Sequence, residues 1–223
     1  AITGSWRIAA AAAGVLLLLL LLLTFIKADL IAPVKHTKQA TQPDPSQAIK
    51  FTEKLLVLLK NPALWGAFIF FACGTIAMSS VQNFTVPIMD ALYGIGKEVA
   101  STALSLYMVS AGAGLLVGGF LAGTTRRTEK IVGAALFSSG AVFLLLASSV
   151  IPASFAIFGL CIAGFLFGLA GPSRDMLIRR VAPKGAMGSV YGLVYSGMDV
   201  GSALGPVAYG VMLDYGRFSG PWI

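Results

Sequence analysis

Polar side chains that could hold a proton or a cation share one face of a segment near the end of this 223-residue chain. At about 100° per residue, an arc of roughly 80° on a helix would contain Tyr191, Tyr195, Asp199, Ser202 and Tyr209. Asp199 is the only acidic residue deep in an apolar segment, about thirteen residues and roughly 20 Å from the start of its own. We expect it either to carry a proton or cation or to make a structural hydrogen bond to a neighbouring helix.

A second, uncharged polar face occurs in the segment from Leu64 to Met89. Within about 100° of arc it contains Thr75, Ser79, Gln82 and Asn83. Side chains of this kind either contact a solute or satisfy the polar groups of a neighbouring helix. Ser79, Gln82 and Asn83 are therefore candidates for solute contact.

The segments that carry these faces are apolar enough to cross a bilayer. Hydrophobic residues make up 57% of the chain and charged residues 11%, whereas soluble domains are about a quarter charged. Six spans are predicted, each long enough for the hydrocarbon core or nearly so: Ile8 to Ile26, Leu64 to Met89, Val99 to Ala122, Ile131 to Val150, Phe155 to Pro172, and Met187 to Leu213. The sequence thus predicts an all-α polytopic membrane protein. Pro221, Trp222 and Ile223 are expected to begin a further helix.

The arrangement of basic residues predicts the orientation of these spans. Thirteen of the 16 Lys and Arg residues fall in one set of alternate loops, and only Arg7, Lys97 and Arg217 fall in the other. Since cytoplasmic loops carry the excess of Lys and Arg, the basic set is cytoplasmic. The net charge of +7 is explained by this asymmetry, so no nucleic-acid partner is expected.

Between the first two spans lies a polar connection, Lys27 to Lys60. Its stretch from Pro33 to Pro45 has no periodicity and is typical of a disordered linker. Ser46 to Leu59 is expected to form a short amphipathic helix, either at the membrane interface or in solvent.

A charged cluster follows the predicted span Phe155 to Pro172. Arg174, Asp175, Arg179 and Arg180 would end this helix at the cytoplasmic surface. They are expected either to form an ion-pair latch between transport states or only to follow the positive-inside bias.

Two stretches resemble signatures of the major facilitator superfamily. The first, Gly119-Phe-Leu-Ala-Gly-Thr-Thr-Arg126-Arg127, resembles the family's Gly-x-Leu-Ala-Asp-Arg-x-Gly-Arg-Arg loop, with Gly123 in place of the Asp. The second resembles the Gly-Pro helix motif best known from antiporters, and its residues are Gly192, Gly201, Gly205, Pro206 and Gly210. The latter falls in the equivalent helix of the second repeat, so it indicates the repeat architecture more than antiport.

The resemblance implies which part of such a transporter this chain represents. Residues 1–26 would hold the last helix of the N-terminal bundle, residues 27–61 the central cytoplasmic loop, and residues 62–223 helices seven to eleven with the start of helix twelve. The N-terminal helices of the same transporter would then be its partners, together with the lipid bilayer. The expected location is a bacterial inner membrane.

Secondary transport of a small solute, with protons as a candidate coupling ion, is the function that these features favour. No phosphate-binding loop, metal-ligand cluster or nucleophile elbow occurs, so neither enzyme chemistry nor a cofactor is expected. The alternative is a membrane scaffold or assembly subunit, which would need no carboxylate near the midplane.

The predicted orientation can be tested with cysteines in a background in which Cys73 and Cys161 are replaced by serine. On intact cells, a membrane-impermeant maleimide should label Ala153→Cys, in the outer loop between the fourth and fifth predicted spans, but not Thr41→Cys, in the linker. Permeabilising the cells should make Thr41→Cys reactive. Labelling of Thr41→Cys on intact cells would invert the topology.

Overall fold

The computed structural model describes residues 14–15, 17–19, 21–23, 60–125, 127–181 and 187–223. The chain divides into two units, Ala1–Ile49 and Lys50–Ile223, which we describe separately. In the first unit, the described residues between 14 and 23 are helical, and their leucines expose more than half of their side chains. The predicted linker Pro33 to Pro45, the predicted helix Ser46 to Leu59, and the ends of the predicted span Ile8 to Ile26 lie outside the described residues.

The second unit contains five long helices and a short turn. They are α1 (Pro62–Tyr93), α2 (Lys97–Thr124), α3 (Thr128–Ala147), α4 (Ala153–Val181), α5 (Met187–Asp214) and a 3-10 turn (Gly220–Trp222). The residues that the structure describes include no β-strand, which confirms the all-α prediction. Trp222 of the turn is buried, and its ring lies 6.1 Å from that of Phe143.

The ends of α1 illustrate how local sequence sets a helix. The Asn61 side chain accepts a hydrogen bond from the Ala63 amide at 3.0 Å, and Pro62 occupies the first turn, where its missing N–H costs nothing. At the other end Gly94 adopts φ 62°, a left-handed conformation that glycine reaches without strain, and its N–H bonds to the Asp90 carbonyl. The helix is therefore longer at both ends than the predicted span.

Four helices in the described part of the chain are long and apolar enough to cross a membrane: Pro62–Tyr93, Lys97–Thr124, Thr128–Ala147 and Ala153–Arg180. The fifth, α5, is as long as α2 but is not among them. Its glycines, serines, tyrosines and Asp199 lower its hydropathy. Composition alone thus does not identify α5 as a span, although its length of 28 residues suffices.

One predicted boundary is wrong. The span predicted to end at Pro172 continues as α4 to Val181, with Pro172 inside the helix. Proline removes the bond to the carbonyl four residues earlier, that of Gly168, but helices in lipid tolerate this loss when neighbouring groups compensate. The consequence is that Arg174 and Asp175 belong to the helix and do not lie beyond it.

Glycines bring α2 and α4 into backbone contact. A methyl group on Gly114 would collide with the Phe165 carbonyl oxygen, and one on Gly118 with that of Leu169. The α4 glycines reciprocate, because a methyl group on Gly164 would lie 2.6 Å from the Tyr107 carbonyl oxygen. Lipid provides little hydrophobic drive between helices, so such close contact supplies the dispersion energy that holds them together.

A second glycine stripe brings α5 against α1. Methyl groups on Gly197 and Gly201 would lie 2.5 Å from the carbonyl oxygens of Phe68 and Ala72 respectively. One turn further on, a methyl group on Gly205 would lie 2.9 Å from the Ser79 Cβ. These three α5 glycines therefore form the surface that packs on α1.

The order of these contacts fixes the relative direction of the helices. Residue numbers rise together along both contacts, so α1 and α5 are parallel, and so are α2 and α4. The α3 helix packs on α4, where the Ser139 hydroxyl donates to the Ala163 carbonyl at 3.1 Å. Lys60, Arg127 and Arg180 therefore lie at one end of the bundle, as the charge asymmetry requires.

Substituting Gly201 by alanine tests the α1–α5 contact. The added methyl group would meet backbone atoms of Ala72, which cannot rotate away, and we expect a cost of about 1–3 kcal/mol. Gly192 on the same helix faces open space, so Gly192→Ala should be neutral or gain up to about 1 kcal/mol in helix propensity. Thermal unfolding in detergent measures both, and equal midpoints would contradict the packing.

Candidate functional site

Three faces run along α5, and they differ in chemistry. The glycine face contacts α1. An apolar face is exposed and consists of Val200, Leu204, Val207 and Val211, which are 43–65% accessible. Between them lies the polar face predicted from the sequence, which we define as Tyr191, Tyr195, Asp199, Ser202 and Tyr209. A lipid-exposed strip and a packed strip thus flank a strip that suits neither environment.

Asp199 is exposed on this polar face. Its carboxylate makes no hydrogen bond or ion pair with the residues that the structure describes. Ser202 does not reach it, because the Ser202 hydroxyl donates to the Met198 carbonyl of its own helix at 2.9 Å. Tyr191, Tyr195 and Ser202 share a face with Asp199 but make no hydrogen bond to it in this structure.

The tyrosines of the polar face contact other groups. The rings of Tyr191 and Tyr195 are 5.4 Å apart, and the Arg179 Nε donates to the Tyr191 hydroxyl at 3.3 Å. Tyr195 also packs 6.0 Å from the ring of Phe71 on α1. Tyr209, further along α5, lies 6.1 Å from the ring of Phe84. The polar face is thus joined to α1 by aromatic contacts at both ends.

The predicted solute-contact residues of α1 divide into two environments. Ser79 is buried, at 6% exposure, against Gly205. Asn83 is exposed and donates to the Ser79 carbonyl at 3.0 Å and to the Ser79 hydroxyl at 3.1 Å. Gln82 is exposed. Contact of these side chains with a solute stays a prediction.

The residues of the two family signatures differ in the contacts that they make. Gly119 of the loop signature meets only the Pro172 Cγ, at 4.0 Å, and Arg126 lies outside the described residues. Arg127 immediately precedes α3, where Glu129 pairs with Arg180 at 3.5 Å. This ion pair joins the start of α3 to the end of α4, which lie at the same end of the bundle.

In the Gly-Pro motif only some residues make contacts. Gly201 and Gly205 pack on α1, whereas Gly192 and Gly210 have no neighbour within 4 Å of an added methyl group. Pro206 lies inside α5. The motif glycines thus pack α5 on α1 near the centre of the helix, and those nearer its two ends make no such contact.

The sequence analysis placed Arg174 in a charged cluster at the cytoplasmic surface and missed its burial against α1. Its side chain is only 21% exposed, and its guanidinium lies over the Phe71 ring at 4.5 Å from the centroid. The error followed from ending the helix at Pro172, which placed Arg174 at the surface. The available signal was a charged residue within reach of an apolar run whose proline need not end a helix in lipid.

A cavity of about 520 Å³ opens between α1, α3, α4 and α5, next to the C-terminal turn. Its walls are mostly apolar, with Phe70, Val81, Leu136, Phe143 and Phe167 among them. Polar residues are few in the lining and include Ser80, Ser139, Tyr107, Tyr209 and Arg174. Ligand sites usually combine an apolar wall with a small number of polar groups in this way.

Apolar helices held together by glycines, with ionisable side chains between them, define an integral multi-pass membrane protein. The sequence model described as Major Facilitator Superfamily matches residues 1–206, and the chain belongs to that superfamily. Its members carry out transport across membranes. No curated protein sequence and no solved structure matches the chain.

Water access to the polar face can be tested by cysteine reactivity, because a thiol reacts with maleimides as the thiolate, which forms in water and not in lipid. In a Cys73→Ser, Cys161→Ser background, Ser202→Cys should react with a water-soluble maleimide in proteoliposomes. Leu204→Cys, two residues away on the apolar face, should not. Equal reactivity at both positions would mean that the two faces share one environment.

Proposed function

We propose that the chain is part of a secondary transporter that moves a small solute by alternating access, driven by an ion or solute gradient. The observation that carries the proposal is the polar face of α5, with the unpaired Asp199 at its centre. A carboxylate in a membrane span costs about 2.5 to 3.5 kcal/mol on insertion scales, so it normally has a partner or a task.

The placement of the polar face supports this proposal. The glycine face of α5 is already in contact with α1, and the apolar face is suited to lipid. The polar face would then border the solute pathway between this bundle and the other half of the transporter. In that arrangement residues 62–223 supply helices seven to eleven, and residues 1–26 supply the last helix of the other bundle.

In such a pathway Asp199 would bind either a proton or a cationic group of the solute. Tyr195, one turn earlier and 40% exposed, would contribute a hydroxyl to the same site. Binding there would alter the balance between inward-facing and outward-facing states, since a ligand shifts a conformational equilibrium only through its different affinity for the two states.

The test uses the protein as its gene encodes it, in inside-out vesicles that maintain a proton gradient reported by a pH-sensitive dye. A panel of candidate solutes is screened for those that discharge the gradient. Asp199→Asn should reduce this solute-driven proton movement to the level of empty vesicles. Asp214→Asn, which removes an exposed carboxylate at the end of the same helix, should preserve it.

Folding is checked separately by the thermal unfolding midpoint, which should be the same for Asp199→Asn and the parent. Unchanged proton movement in a folded Asp199→Asn protein would remove the coupling role. If no solute moves protons but one accumulates in response to membrane potential, Asp199 would instead act on the charge of the solute. A membrane protein that transports nothing in either assay would fit the scaffold alternative.

A further inference from the structure

Arg174 is a cation held within an apolar bundle. It belongs to α4 and precedes Arg180 by six residues, or roughly 9 Å along the helix. Phe71 covers one side of its guanidinium, and the terminal nitrogen Nη1 approaches Gly74 of α1. Its neighbours Arg179 and Arg180 are exposed, so Arg174 is the one of the three that the fold encloses.

The hydrogen bonds of the guanidinium are not satisfied within the described part of the chain. Among the described residues none accepts a bond from it, and its Nε is buried and unpaired. Asp175 comes nearest, but its Oδ1 lies 4.0 Å from the Arg174 Nε, beyond hydrogen-bond distance, and is itself buried without a donor. A guanidinium offers five N–H donors. The Arg174 Nε is buried without an acceptor, and burying a donor in this way costs free energy.

The charges around Arg174 leave a positive excess. On α4 itself these are Asp175 and Arg179, and Arg179 already donates to Tyr191. The α5 groups that face this region, Tyr191 and Tyr195, are neutral phenols. On α1 the contacting residues are Phe71 and Gly74. An added anion would therefore meet one unsatisfied guanidinium and only one carboxylate.

The cavity beside Arg174 has the shape and polarity of a site for a molecule with one charged end. Arg174 is the only charged residue among the described residues that line it. The α1 residues of its wall extend from Phe70 to Val81, about 16 Å along the helix. Arg174 lies against Phe71 and Gly74, near the Phe70 end of this wall. A long apolar wall with a cation near one end is complementary to an amphipathic anion.

We propose that Arg174 binds the anionic group of an amphipathic solute whose apolar part occupies this cavity. This assignment names the solute class and rests on the proposed transport function. A planar guanidinium binds carboxylate or phosphonate oxygens in bidentate fashion, which would satisfy the donors that the fold leaves open.

Equilibrium binding of decanoate tests the proposal without any gradient. The protein, as its gene encodes it, is placed in nanodiscs of neutral phosphatidylcholine, and radiolabelled decanoate is titrated. Binding should be saturable in the parent and weaker by about tenfold or more in Arg174→Gln, since a bond to a charged partner contributes about 1.5–3 kcal/mol. Arg174→Lys should fall between them because it keeps the charge but not the bidentate geometry.

Two controls separate recognition of charge from damage to the fold. Decanol, which has the same chain and no charge, should bind the parent and Arg174→Gln equally, which shows that the cavity is intact. Arg180→Gln, on the same helix and outside the cavity, should bind decanoate within about twofold of the parent. Equal decanoate binding by the parent and Arg174→Gln would overturn the proposal.

A second arm separates a transported solute from a bound lipid. Nanodiscs containing phosphatidylglycerol should leave decanoate affinity unchanged if the site serves a solute. If phosphatidylglycerol competes with decanoate and Arg174→Gln abolishes the competition, the occupant is a lipid headgroup and the solute assignment is wrong. Because these binding measurements need no transport, their outcome does not depend on the outcome of the Asp199→Asn transport test. Loss of decanoate binding in Arg174→Gln can be observed even if Asp199→Asn leaves coupling unchanged, and Asp199→Asn can abolish coupling even if Arg174→Gln binds decanoate normally.

Discussion

Backbone contact between helices, made possible by glycine, is the constraint on which the rest of this bundle depends. In lipid an apolar side chain gains little by leaving its surroundings for a neighbouring helix, so stability must come from the closeness of packing. Gly114, Gly118 and Gly164 supply that closeness between α2 and α4, and Gly197 and Gly201 supply it between α1 and α5. A side chain at any of these positions would have to displace carbonyl groups.

The same constraint explains where the polar groups are. The glycine face of α5 packs on α1, and the apolar face of valines and a leucine is suited to lipid. The hydroxyls and the Asp199 carboxylate therefore occupy the remaining face of the helix. Arg174 is placed by a related effect, since α4 continues past Pro172 and carries the guanidinium alongside Phe71. Ionisable groups in this bundle thus take the positions that close packing leaves available.

The sequence was sufficient for most of the architecture and for part of the site. Apolar runs and the alternation of basic loops predict the helices and their directions, because both signals follow from transfer between water and lipid. The stripe Gly197, Gly201, Gly205 predicts a contact face, although the pattern cannot name α1 as the partner. The sequence named Arg174 but did not settle its burial beside Phe71, because whether a proline ends a helix depends on the neighbours that compensate for the lost bond. The sequence also did not show that Asp199 lacks a hydrogen bond from the nearby hydroxyls. Ser202 lies on the same face, but its hydroxyl donates to the Met198 carbonyl of its own helix.

The nesting of the two parallel pairs has a consequence for how the bundle assembles. Only α3 lies between α2 and α4 in the sequence, whereas three helices lie between α1 and α5. Phe68 and Gly197, which are in contact, are therefore separated by more than half of the length of the chain. During synthesis α1 enters the bilayer before the other four helices of its unit, and its contact surface stays uncovered until α5 arrives. The α2–α4 pair can close earlier, because loop closure over a shorter separation comes sooner and at lower entropic cost. The α1–α5 contact therefore forms after the α2–α4 contact, and a defect in α5 would leave a partly assembled intermediate in which the contact surface of α1 is exposed to quality control.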